Sequence, residues 1–167
     1  MARVLPGRVT AAHDDDVVVF LIGMRVNRWS AVRAWWPVFK AMPAMLKELS
    51  QNPSAGFLGA RGALGPNGPL LVQYWRSLDQ LLAYAHDHQA LHRPAWRDFN
   101  RRARESRGAV GIWHETFAVP RGAHESVYVD MPPSGLAAAT AAVPVRARTN
   151  DARSRLRLAG EARRGAA

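Results

Sequence analysis

The chain has 167 residues, 48% of them hydrophobic, which suits one domain with a real core and excludes wholesale disorder. Cysteine is absent, so disulfides, thiolate metal sites and cysteine nucleophiles are excluded. The formal charge is +10, but half of that excess falls in residues 141–167, where seven arginines meet only Asp151 and Glu161.

That last segment is rich in Ala, Arg and Gly and lacks a long apolar run, so it reads as a flexible solvated tail beyond a domain of residues 1–140. The basic residues are 21 arginines and two lysines, a compositional bias rather than a phosphate-reading pattern, and nucleic acid is not expected as a partner. The longest apolar run, Val17 to Met24, is too short to span a bilayer. It follows Asp14-Asp15-Asp16, where a signal peptide would carry basic residues. The simplest reading is a cytoplasmic protein without membrane attachment.

Taken in chain order, Val17 to Val26 is rich in β-branched residues and continuous rather than alternating, as in a strand buried on both faces. Ser30 is placed to cap a helix whose apolar positions recur at Val32, Trp35 or Trp36, Phe39, Met42, Met45 or Leu46, and Leu49. Pro37 and Pro43 fall inside that pattern and predict a kinked or segmented helix. Gly56 to Arg61 and Leu70 to Arg76 read as a hairpin, with a moderately long turn-rich loop from Gly62 to Pro69. Ser77 caps a helix through Leu81, Leu82 and Tyr84; a further helix is expected from Pro94 to about Glu105. Val110 to Val119 is the last clear strand, and an extension with a compact apolar motif, Val127 to Leu136, follows.

The order β-α-β-β-α-β predicts an α+β fold, a ferredoxin-like split βαβ sheet with its helices on one face. The continuous apolar first strand requires cover on the other face too, and a second copy of the chain, forming a homodimer, is the economical cover.

Four blocks carry a resemblance: Val19 to Asn27, Leu71 to Ser77, Gly111 to Thr116, and Met131-Pro132-Pro133-Ser134-Gly135-Leu136. Over roughly residues 15–140 the chain resembles a monooxygenase-like family grouped with the antibiotic-biosynthesis monooxygenase superfamily. The resemblance implies a dimeric α+β barrel with a pocket between sheet and helices. It implies a monooxygenase acting on a small apolar or aromatic molecule without metal or flavin. The superfamily also contains haem-degrading members, whose late-helix histidine, preceding aromatic and first-strand asparagine correspond in place to His92, Tyr84 and Asn27. A haem-binding or haem-dependent enzyme with His92 or His86 as axial ligand, and a non-catalytic small-molecule-binding dimer, therefore stand as alternatives.

Among the residues themselves, His114 sits mid-strand on one face with Ile112 and Thr116. If that face looks to the helices, its imidazole is a candidate general base for a phenol or C–H proton. Which face it takes is open from the sequence. Asn27 and Arg25 end the first strand as candidate polar helpers, one donating to an enolate or to bound oxygen and the other holding a carboxylate. Tyr84, Trp96, Trp36 and Phe39 are candidates for an aromatic substrate pocket. His88 and His92 have i, i+4 spacing, but Pro94 argues for a break there and no metal site is expected. Neither a Gly-x-Ser-x-Gly elbow nor a Gly-x-Gly-x-x-Gly or phosphate-loop motif occurs, which leaves serine catalysis and nucleotide binding by those routes without support.

Overall fold

Two antiparallel sheets organise the chain in the computed structural model, which describes residues 3–87, 97, 101 and 105–156. In chain order the elements are Leu5–Ala11 (β1), Val17–Val26 (β2), Val32–Gln51 (α1), a 3-10 turn at Pro53–Ala55, Phe57–Gly65 (β3) and Gly68–Trp75 (β4). Leu78–His86 (α2), Val110–Val119 (β5), Tyr128–Met131 (β6), Gly135–Ala139 (α3) and Ala142–Pro144 (β7) complete them. The larger sheet has the order β3-β4-β2-β5, and α1 and α2 pack on one of its faces. This is the α+β, ferredoxin-like arrangement expected from the element order.

β2 lies at the centre because its long run, rich in β-branched residues, bonds β4 on one side and β5 on the other. Val18, Met24 and Val26 point to the helices and are buried there; Val17 and Gly23 are buried on the opposite face. Gly23 is required by close approach: a Cβ would meet the Trp113 indole at 2.5 Å.

Local chemistry departs from expectation in three places. α1 starts at Val32 with Ala31, not Ser30, at its N-cap, because Ala31 N–H first closes a turn onto Arg28 O and the Trp35 indole N–H bonds Trp29 O. The helix then runs through Pro37 and Pro43 as one element of 20 residues, with Ala34 and Leu49 buried on its inner side. The β3–β4 hairpin is tighter than its glycine- and proline-rich composition suggests. Pairing continues to Gly65↔Gly68, leaving Pro66 and Asn67 as the turn, and Asn67 O accepts the Val26 N–H.

The second sheet, β6-β1-β7, was not anticipated. β1 contains Pro6 and Gly7, and its partners are a four-residue and a three-residue strand more than a hundred residues away, so no local pattern announces it. Between β6 and β7, the Met131-Pro132-Pro133-Ser134-Gly135-Leu136 motif delivers α3 onto the outer face of β3 and β4, burying Leu136 and Ala137. Gly135 has φ +55° and lies where a Cβ would stand 3.1 Å from both the Tyr74 and Tyr128 hydroxyls; only glycine fits that conformation without strain.

Part of the segment expected to be a flexible tail is packed. β7 pairs with β1, Arg8 bonds the Asn150 carbonyl at 2.9 Å, and Arg155, its side chain 8% exposed, pairs with Glu125 at 2.7 Å. Residues 157–167 lie outside the described residues. On the outer face of the large sheet, α3 leaves β2 and β5 open. Trp113 and Phe117 are 40% and 50% exposed there, beside the half-buried Val19 and Leu21.

Candidate functional site

The alternation of β4 sends Leu71, Gln73 and Trp75 toward the helices, and the register sets them opposite Ile22, Phe20 and Val18 of β2. Above this floor, α1 contributes Met42, Met45, Leu46 and Leu49 at helical i, i+3, i+4, i+7 spacing. Leu81, Tyr84 and Ala85 of α2 close the side. These elements line a partly open cavity of about 140 Å³. An engineered apolar cavity of roughly 150 Å³ holds benzene, so the space matches one small apolar molecule.

Among the described residues, polar side-chain atoms in the wall belong to Gln73, Trp75 and Tyr84. Trp75, with no exposed surface, donates its indole N–H to Gln73 Oε1 at 3.0 Å. Tyr84 donates its hydroxyl to Glu48 Oε2 at 3.1 Å, and its ring lies 5.6 Å from that of Trp75. Burial, and then the charge and hydrogen bond of Glu48, push the Tyr84 hydroxyl pKa well above the usual tyrosine range. Tyr84 is therefore a neutral hydroxyl at any physiological pH.

Register answers which face His114 takes. It pairs with Ile22, and Thr116 pairs with Phe20, so both lie on the helix side of the sheet. The His114 ring is 5.6 Å from the ring of Phe20, a cavity wall residue, but β5 is an edge strand and His114 is exposed. The imidazole thus stands one strand from the cavity, with Phe20 between.

The other candidates disperse. Arg25 pairs with Gly111 on the opposite face from His114. Its Nε donates to Asn27 Oδ1 at 3.0 Å while Asn27 Nδ2 donates to Gly108 O at 2.9 Å, so the pair ties the end of β2 to the chain entering β5. Trp36 and Phe39 stack at 5.6 Å, but Trp36 is 44% exposed beneath Lys40, and Phe39 packs on the Met24 and Val26 cluster. Neither is a wall of the cavity, which opens a turn further along α1. His86 is exposed at the end of α2 and donates Nδ1–H to Leu82 O at 2.7 Å. His92 and Trp96 lie outside the described residues.

Among the described residues no histidine lines the cavity, so none of them is placed to ligate a haem there. Among the described residues no group of three or more His, Cys, Asp or Glu is arranged to hold a metal ion. No helix among them is long and apolar enough to cross a membrane.

Sequence reasoning missed Gln73, Met42, Met45 and Glu48 as site residues. The available signal was Gln73's place midway between Leu71 and Trp75, two positions with core character on one strand face.

The fold is thus a ferredoxin-like α+β domain with an apolar cavity between its sheet and helices. Residues 17–136 match the family model described as Monooxygenase af470-like, and the chain belongs to that family. It is 29% identical over 153 residues to "Monooxygenase af470" of Aspergillus fumigatus, a match covering 80% of this chain and 54% of that protein. The chain thus spans about half the length of this curated relative. Among solved structures, it is similar to an aldoxime dehydratase in complex with butyraldoxime (TM-score 0.62, 20% identity, 81% of this chain and 42% of that one). A second aldoxime dehydratase structure gives a TM-score of 0.59 at 17% identity, over 81% and 43% of the two chains. At these identities the likeness is one of fold.

The Tyr84–Glu48 contact is tested by alkaline titration followed through tyrosinate absorbance. A hydroxyl with a raised folded-state pKa contributes stability that is present below the ordinary tyrosine pKa of about 10 and is lost as pH rises beyond it. Tyr84→Phe is expected to remove absorbance that develops above that value and to flatten the alkaline loss of stability; removal of a step at about 10 would contradict the contact.

Proposed function

We propose that the protein binds one small apolar or aromatic molecule in the cavity and oxygenates it without metal or flavin. The observation that carries this reading is the apolar space of about 140 Å³ between β2, β4, α1 and α2, in a chain of a monooxygenase-like family. Such a reaction suits a substrate with an acidified CH2 group. His114 removes a proton, and the resulting carbanion passes electrons to dioxygen. One oxygen atom becomes the carbonyl oxygen and the other leaves as water, so that CH2 and O2 give C=O and H2O, with all four electrons drawn from the substrate. His114 suits the role of base because it shares the helix-side face with Ile22 and Phe20, and a substrate reaching past the Phe20 ring meets its imidazole. Asn27 and Arg25 have no part in this reading, since they bond each other and Gly108.

The same reading has a second copy of the chain covering the open outer face at β2 and β5. Val19, Leu21, Trp113 and Phe117 form an apolar surface there that a homodimer would bury.

Three measurements test these proposals. Filling the cavity with Ala85→Phe should abolish the thermal stabilisation given by small aromatic ligands while the circular dichroism spectrum is kept; His114→Ala should keep ligand binding and lose oxygen uptake with a turned-over substrate. Undiminished oxygen uptake by His114→Ala contradicts its role as base, and undiminished ligand binding by Ala85→Phe contradicts the cavity as the site. Sedimentation should find a dimer for the native chain and a monomer for Phe117→Glu; a native monomer at micromolar concentration contradicts the dimer.

A further inference from the structure

The hydrogen bond between Trp75 and Gln73 fixes more than packing. An indole N–H is a donor and never an acceptor, so the Gln73 side-chain atom 3.0 Å from Trp75 Nε1 must be its oxygen. The orientation of the amide is thereby set by chemistry, and Nε2 with its two N–H donors is directed away from Trp75. Gln73 is only 8% exposed and forms part of the cavity wall. Among the described residues no acceptor is bonded to Nε2. The third polar wall residue has no donor to spare, because the single hydroxyl hydrogen of Tyr84 is directed to Glu48. The remaining wall residues are apolar.

The Nε2 donor keeps accessible surface in the cavity wall and is not sealed off, so it is well placed for a ligand that brings an acceptor. We propose that Gln73 selects the ligand by donating Nε2–H to it, so that the cavity takes a compact apolar molecule carrying one acceptor oxygen, a ketone, aldehyde or ether, in preference to a hydrocarbon of the same shape. This rests on the cavity being the ligand site and adds to it a chemical class and an orientation: the acceptor oxygen lies at β4, and the apolar body lies against Met42, Met45 and Leu46. It also places one polar end of the ligand on the strand next to β2, beyond which β5 carries His114.

The test uses two probes of matched size, cyclohexanone and methylcyclohexane, with affinities measured by calorimetry for the native protein and for Gln73→Met. The comparison is made for each ligand across the two proteins, which cancels the different hydration of ketone and hydrocarbon. Gln73→Met is expected to weaken cyclohexanone by about three- to tenfold, the worth of one neutral hydrogen bond. It should leave methylcyclohexane unchanged or bound more tightly. Equal change for both ligands, or none for either, overturns the role of Gln73 while leaving the cavity as a ligand site. Failure of both probes to bind the native protein overturns the cavity itself. Should Gln73→Met fail to fold, the carbonyl stretch of cyclohexanone bound to the native protein decides. A shift to lower frequency than in alkane solvent supports the hydrogen bond, and an unshifted band overturns it.

Discussion

Trp75 has no exposed surface and one hydrogen that must be bonded. Its ring is surrounded by Phe57, Tyr84, Val18, Leu49 and Leu81, residues from β3, α2, β2 and α1, so every layer on the helix side of the sheet converges on this side chain. An indole buried to that degree without an acceptor would lose about 1–3 kcal/mol. Gln73, two residues earlier on the same strand face, supplies the acceptor. The polar atom in the cavity wall is thus a consequence of burying a tryptophan. Core packing and the proposed ligand recognition meet in one hydrogen bond.

Around that contact the sheet divides the labour between its faces. The helix side holds two separate apolar clusters, one at Val18, Leu49, Trp75 and Leu81 and the other at Met24, Val26, Ala34 and Val110. The cavity lies beside the first, where the two methionines of α1 reach over Phe20 and Ile22. The outer side is closed over β3 and β4 by α3, which the small β6-β1-β7 sheet carries. Arg155 and Glu125 fasten that small sheet's surroundings from within the C-terminal segment, where a charge-rich composition suggested only solvation.

Much of the central architecture was legible because β2 and β5 are long runs rich in β-branched and aromatic residues without proline, and their expected limits, Val17–Val26 and Val110–Val119, are those of the structure. β1, β6 and β7 were not legible, since strands of seven, four and three residues joined by long-range pairing leave no periodicity to read. The site divides in the same way. Tyr84 stands out as an aromatic on a short amphipathic helix, and it does line the cavity. Arg25 and His114 were both site candidates, but strand pairing sets Ile22, not Arg25, opposite His114, and the parity of a cross-strand register cannot be read from either strand alone. Trp36 and Phe39 drew notice as aromatics, yet the part of α1 above the void is the methionine-bearing turn that follows. Gln73 escaped because a lone glutamine in a strand ordinarily points to water; only its place between Leu71 and Trp75 turns it inward.

In the proposed function a small apolar molecule enters the space bounded by Met42 and Met45. Carbon-13 labelling of the methionine methyl groups during a benzene titration tests this directly, because aromatic ring currents act only at short range. The account predicts saturable shifts of the Met42 and Met45 methyl signals, with Met24, packed in the separate cluster, and Met131, on β6, unmoved. Absence of saturable shifts at Met42 and Met45, or equal shifts at all four, would contradict it.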